Sequence, residues 1–148
     1  MSSRLASEFA TFIIECSCAP KIESLRPNNP NVRIMKRVGG GFDYSFNAQK
    51  AVDETAHIIV AAEVVNTSSD VQQLPMVLVA VKANIGAAPA LVLADSGYRS
   101  EAVMAELATS QPTTELVIAL GREGKTLVKP RDEKRYPYTA AMAAKFET

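Results

Sequence analysis

Asp95 is the residue whose surroundings speak most clearly of chemistry. It closes the apolar run Leu91-Val92-Leu93-Ala94 and precedes Ser96-Gly97-Tyr98-Arg99-Ser100-Glu101. An apolar run of that length, bounded by turn residues, reads as a buried strand. The carboxylate then sits where the strand leaves the core, and in open α/β sheets ligands and metals gather outside the carboxyl ends of strands. A lone Asp before Ser-Gly has a second use: it can accept hydrogen bonds from the backbone amides of the turn. The residues alone leave both uses open.

Other side chains invite contact with an anionic polymer. Phe42, Tyr44, Phe46 and Ala48 alternate with Asp43, Ser45, Asn47 and Gln49, which predicts a strand with one apolar and one polar face. Amides at Asn47 and Gln49 suit either DNA contact or pairing across strands. Taken as residues, Tyr98 and Arg99 read as a packed ring and a solvated cation. Arg122, Lys125, Lys129 and Arg131 stud an expected loop over 121–135, where they would neutralise phosphates in a salt-dependent way. Glu123, Asp132 and Glu133 dilute that charge, and a flexible surface loop is the competing reading. Gly39-Gly40-Gly41 opens a strand rather than a helix, which excludes a phosphate loop.

The elements that must position these groups follow from periodicity. Asp53-Glu54-Thr55-Ala56 reads as a hairpin loop before a second strand over His57 to Val65. His57 fits the strand start better than a base, while Asp53 lies at the loop and Glu63 in mid-strand among apolar residues. Val71, Leu74, Leu78 and Val81 form a helical stripe running to about Asn84, with Pro75 moving its start past Val71 and Gly86 ending it. After the Asp95 strand, Ser100 caps a helix from Glu101 to about Thr109, and Glu101 suits its positive end. Glu115 to Leu120 reads as a strand and Thr139 to Phe146 as an Ala-rich helix. Strands separated by helices beside a hairpin give a mixed α/β sheet. Ser2 to Glu15 has the spacing of a short amphipathic helix, followed by a Pro- and Asn-rich linker.

Composition narrows the class. With 148 residues, 47% hydrophobic and 22% charged, the chain is of single-domain size and globular in type. A net charge of zero conceals an acidic centre, −6 over residues 42–121, between flanks of +3 each over 1–41 and 122–135. That pattern fits a metal site with phosphate-binding arms, or simply a solvated surface. Cys16 and Cys18, with one histidine in the chain, do not make a zinc site. The apolar stretch from Phe9 to Ile14 is too short for a membrane span and fails as a secretory signal, so a cytoplasmic protein without membrane contact is expected.

Several ordered motifs together carry a family resemblance. Asn31-Val32-Arg33-Ile34-Met35-Lys36, then Tyr44-Ser45-Phe46-Asn47-Ala48-Gln49-Lys50-Ala51-Val52-Asp53, then Ile58-Ile59-Val60-Ala61-Ala62-Glu63-Val64-Val65-Asn66, then Leu93-Ala94-Asp95-Ser96-Gly97-Tyr98-Arg99-Ser100-Glu101 closely resemble the DDE transposases of bacterial insertion sequences. Phe46 and Ser96 stand where that family has Tyr and Ala. Tyr136-Pro137-Tyr138-Thr139-Ala140-Ala141-Met142-Ala143-Ala144-Lys145 is similar to its lead-in to the last catalytic segment.

The resemblance implies a ribonuclease H-like mixed α/β sheet with flanking helices over residues 30–148, preceded by a divergent segment and linker over 1–29. It implies Mg2+ or Mn2+ held by three carboxylates, of which Asp95 matches the second, as catalytic residue and metal ligand. It also places Arg99 near the DNA cleft, as a DNA-binding residue that meets a phosphate. Nothing in 1–29 resembles the strand that carries the first, and the chain stops before the Glu that supplies the third. A sheet lacking its first strand and last catalytic helix is therefore expected, with little strand cleavage by the chain alone. Expected partners are DNA at transposon ends, full-length transposase or a second copy of the chain. A non-catalytic DNA-binding or oligomerisation remnant, and a nuclease-like hydrolase with a rebuilt site, are the alternatives.

Overall fold

The computed structural model describes residues 11–18, 30–36, 40–121 and 132–146. A five-stranded sheet runs in the order β5-β4-β1-β6-β7, built from β1 (Thr11–Cys18), β4 (Asn47–Asp53), β5 (Ile59–Val65), β6 (Leu91–Ala94) and β7 (Glu115–Ile118). A separate two-stranded ribbon pairs β2 (Arg33–Lys36) with β3 (Phe42–Ser45). β5, β4 and β1 are antiparallel neighbours, whereas β1, β6 and β7 run parallel. The expected mixed α/β sheet with flanking helices is present.

The central strand is the main departure from expectation. Thr11–Cys18 was expected to lie in an amphipathic helix or linker, and the first strand to be missing. Instead it occupies the middle of the sheet, antiparallel to β4 and parallel to β6. Its run Thr11-Phe12-Ile13-Ile14 is β-branched and aromatic, which suits a pleated surface, and Phe12 and Ile14 are both buried. Four consecutive apolar residues satisfy a helical stripe and a buried strand alike, and the sheet decides between them. Residues 2–10, the rest of the expected helix, lie outside the described part.

A second difference concerns the Phe42–Gln49 alternation. It is two strands in two sheets, broken at Phe46, rather than one. In β4 the inward face carries Asn47, Gln49 and Ala51, all buried, and in β3 Phe42 is 72% exposed. In β4 the polar face is thus the inward one, the reverse of the sequence expectation.

The helices match their signals closely. α1 (Leu74–Ile85) begins with Pro75 in its first turn and ends at Gly86, whose φ of 78° is the left-handed conformation that glycine adopts without strain. It connects β5 to β6, and its buried residues Leu74, Val77, Leu78 and Val81 lie in one core cluster with Ala51, Ala61 and Val92 of the sheet. α2 (Glu101–Ser110) starts at Ser100, whose Oγ accepts from the Val103 amide, and it carries the parallel crossover from β6 to β7. α3 (Pro137–Lys145) packs on α2 and β7, with the Ile118 amide donating to the Met142 sulfur. Its own N-cap residue, Tyr136, supplies no side-chain bond; Glu101 from α2 does, accepting from the amides of Tyr138 at 3.1 Å and Thr139 at 2.7 Å. Two orphan donors of α3 are therefore satisfied from α2, which fixes how the two helices meet.

Candidate functional site

Asp95 stands at the carboxyl end of β6, exposed, in extended conformation, and leads into a 3-10 turn over Ser96–Tyr98. One oxygen, Oδ1, accepts from the Gly97 amide at 2.6 Å, so the turn-capping use open in the sequence is realised. The turn is held from below by Tyr98, whose ring is fully buried in the core cluster. Arg99 is half-buried, and its Nη1 donates to the Leu120 carbonyl at 2.6 Å, tying the turn to the end of β7.

A second carboxylate lies beside this turn. Asp70 sits in the loop between β5 and α1, where its carbonyl accepts from the Gln73 amide. A Cβ placed on Gly97 would meet Asp95 Oδ1 at 2.8 Å and Asp70 Oδ2 at 3.1 Å. Two carboxylate oxygens therefore converge on the one face of Gly97 where a side chain would begin.

Asp70 Oδ1 is engaged in the opposite direction. It accepts from Asn47 Nδ2 at 2.6 Å and from Gln49 Nε2 at 2.9 Å. Gln49 Oε1 in turn accepts from the Tyr98 hydroxyl. Asn47 is 2% exposed and Gln49 0%, so both amides are sealed under the surface. Of the uses open to them in the sequence, DNA contact or pairing with other groups, these buried amides are engaged here in anchoring a carboxylate.

Backbone register adds one further position. The last pair across β1 and β6 is Ile14 with Ala94, so Glu15 and Asp95 are the next residues along adjacent parallel strands. The strand that carries Glu15 is not legible from the period of Thr11 to Ile14 alone. Asp70 was missed for another reason: its partners lie 21 and 23 residues away. Within the described residues no three His, Cys, Asp or Glu side chains gather closely enough to hold a metal. Arg122, Lys125, Lys129 and Arg131 lie outside the described residues. No helix among the described residues is long and apolar enough to cross a membrane.

No curated protein matches the chain. Among solved structures, the piggyBac transposase synaptic complex with hairpin DNA is similar, with a TM-score of 0.45 and 14% identity. That match covers 80% of this chain and 24% of the other, so this chain spans about a quarter of its length. A family model described as a transposase DDE domain matches residues 31–140, which is most of the sequence. The chain belongs to the transposase DDE domain family.

Proposed function

We propose that the chain serves DNA transposition, working in the cytoplasm, with DNA as its macromolecular partner and the Asp95 end of the sheet as its place for a divalent cation. The observation that carries this reading is the convergence of Asp95 and Asp70 oxygens on Gly97 in a chain of the DDE family. Hard cations such as Mg2+ and Mn2+ favour carboxylate oxygen, and the donors at this spot are carboxylates. Asp95 Oδ1 and Asp70 Oδ2 lie on the same side of Gly97, and both are the carboxylate donors that an ion of this kind takes. Asp95 and Asp70 would hold it. When bound, the ion supplies Lewis-acid polarisation of a phosphate oxygen.

The chain's own residues orient the site. The Gly97 amide fixes one Asp95 oxygen, and Arg99 binds the turn to the end of β7. Transfer by a pair of ions needs several carboxylates around both. Two acids support weak binding of one ion and little strand cleavage by the chain alone, with full-length transposase or a second copy as the source of more. The basic stretch over 122–135 supplies charge for phosphate contact, and DNA binding should weaken steeply with salt.

Manganese titration followed by electron paramagnetic resonance tests the reading, alongside nicking of supercoiled plasmid. Wild-type protein should bind Mn2+, Asp95→Ala should lose that binding, and nicking should stay near background for both. Unaltered Mn2+ binding in Asp95→Ala would overturn the site. A non-catalytic DNA-binding protein of the same fold is favoured by one specific observation, the use of Asp95 Oδ1 as a turn cap. Salt-sensitive DNA binding with no Mn2+ uptake would select it.

A further inference from the structure

We infer that Asn47, Gln49 and Tyr98 form a buried positioning device for Asp70, aiming its second oxygen at the Asp95 turn. This rests on the reading of that turn as a cation site. Burying a primary amide is unfavourable unless its hydrogen bonds are met, and a strand core is built more simply from Val or Ala. Yet β4 buries two amides on the face it shares with Ala51, and both donate to the same oxygen of Asp70.

The third member sets the direction. Gln49 Oε1 accepts from the Tyr98 hydroxyl, so its Nε2 is the end that must face Asp70. Tyr98 belongs to the turn that follows Asp95, and thus one chain of bonds runs from that turn through β4 to the loop before α1. With Oδ1 held by two donors, Oδ2 is left on the Gly97 side. Charge-assisted bonds of this type are about twice as strong as neutral ones, so the carboxylate orientation is fixed more firmly than a surface acid's. Groups that orient metal ligands in this way typically change affinity on the order of 10- to 100-fold when removed. Asn47 and Gln49 act on the ion only through Asp70, and Tyr98 only through Gln49, so each is a positioning residue.

The two oxygens of Asp70 make anchoring and binding separable. Asp70→Asn keeps an acceptor for Asn47 and Gln49 but places an NH2 group where Oδ2 faced the turn. Gln49→Met keeps the volume and removes both bonds. Mn2+ affinity is measured on the full chain, well below the unfolding temperature, for these variants and for Asp95→Ala. Exchange protection of the Gln49 side-chain amide in metal-free protein gives a readout independent of the ion. The expected result is an affinity loss on the order of 10-fold or more in both Asp70→Asn and Gln49→Met. Gln49 protection should be retained in Asp70→Asn and lost in Asp70→Ala. Wild-type affinity in Gln49→Met and Asp70→Asn, with Asp95→Ala impaired, overturns the inference and leaves the site standing. Wild-type affinity in Asp95→Ala as well overturns both.

Discussion

Replacing Tyr98 with Phe removes one oxygen from a ring that is fully buried, and nothing else. The ring packs in the core cluster in either form, so the apolar burial is unchanged. The bond to Gln49 Oε1 is lost with it, and Gln49 has no exposed surface through which water could replace it. A buried acceptor left unsatisfied costs about 1–3 kcal/mol, more than the net worth of a replaceable bond. Taking the middle of that range, about 2 kcal/mol, a domain of this size should melt roughly 6 °C lower. Urea unfolding should show the midpoint move at unchanged slope, the mark of lost stability without a change in the surface exposed. The partner test is the Tyr98→Phe, Gln49→Met pair. If the two side chains act through one bond, the double variant should fall short of additivity by about 1 kcal/mol. Stability within about 0.3 kcal/mol of wild type, or strict additivity, would refute the claim that this bond holds the turn to β4.

Two further substitutions probe neighbouring contacts. Gly97→Ala places a methyl 2.8 Å from Asp95 Oδ1, turning that carboxylate off the Gly97 amide; a loss of about 1 kcal/mol in urea unfolding, the worth of that bond, is expected, with weaker Mn2+ binding. A neutral Gly97→Ala would mean that the two acids do not crowd this residue. Glu101→Ala removes the acceptor for the Tyr138 and Thr139 amides, which should cost about 0.5–2 kcal/mol and raise hydrogen exchange across Pro137–Lys145 before the sheet is affected. Uniform exchange through the whole chain would count against Glu101 as the cap of α3.

Local signals carried most of the architecture. Gly86 and Pro75 bracket α1 because both act through their own backbone torsions, which no tertiary contact can override. Ser100 is legible for the same reason, since its cap bond reaches only to Val103. Asp95 is placed correctly at a strand end by its apolar run, and its bond to Gly97 spans two residues. The central strand was not legible, because Thr11 to Ile14 is too short a run for its period to separate strand from helix, and what selects the strand is pairing with β4 and β6 far along the chain. Glu101 shows a mixed case: it suits the start of α2 in sequence, while its bonds to α3 cross 37 and 38 residues.

The reversal of β4 explains why half of the site stayed hidden. Period-two alternation divides a strand into two faces and is silent about which one the core will take. Polarity normally breaks the tie, and here polarity points the wrong way, because Asn47 and Gln49 face inward while Phe42 of β3 faces out. An inward amide is stable only where an acceptor waits for it, and the acceptor is a carboxylate in a different loop. Local preference is overruled where a polar network must reach a specific place, which is the expected behaviour of a functional site. The same contacts that misled the reading of β4 bring Asp70 to Gly97, so the inverted strand and the second acid are one structural fact. Replacing Asn47 and Gln49 by apolar residues would restore the sequence rule and release Asp70 from the turn.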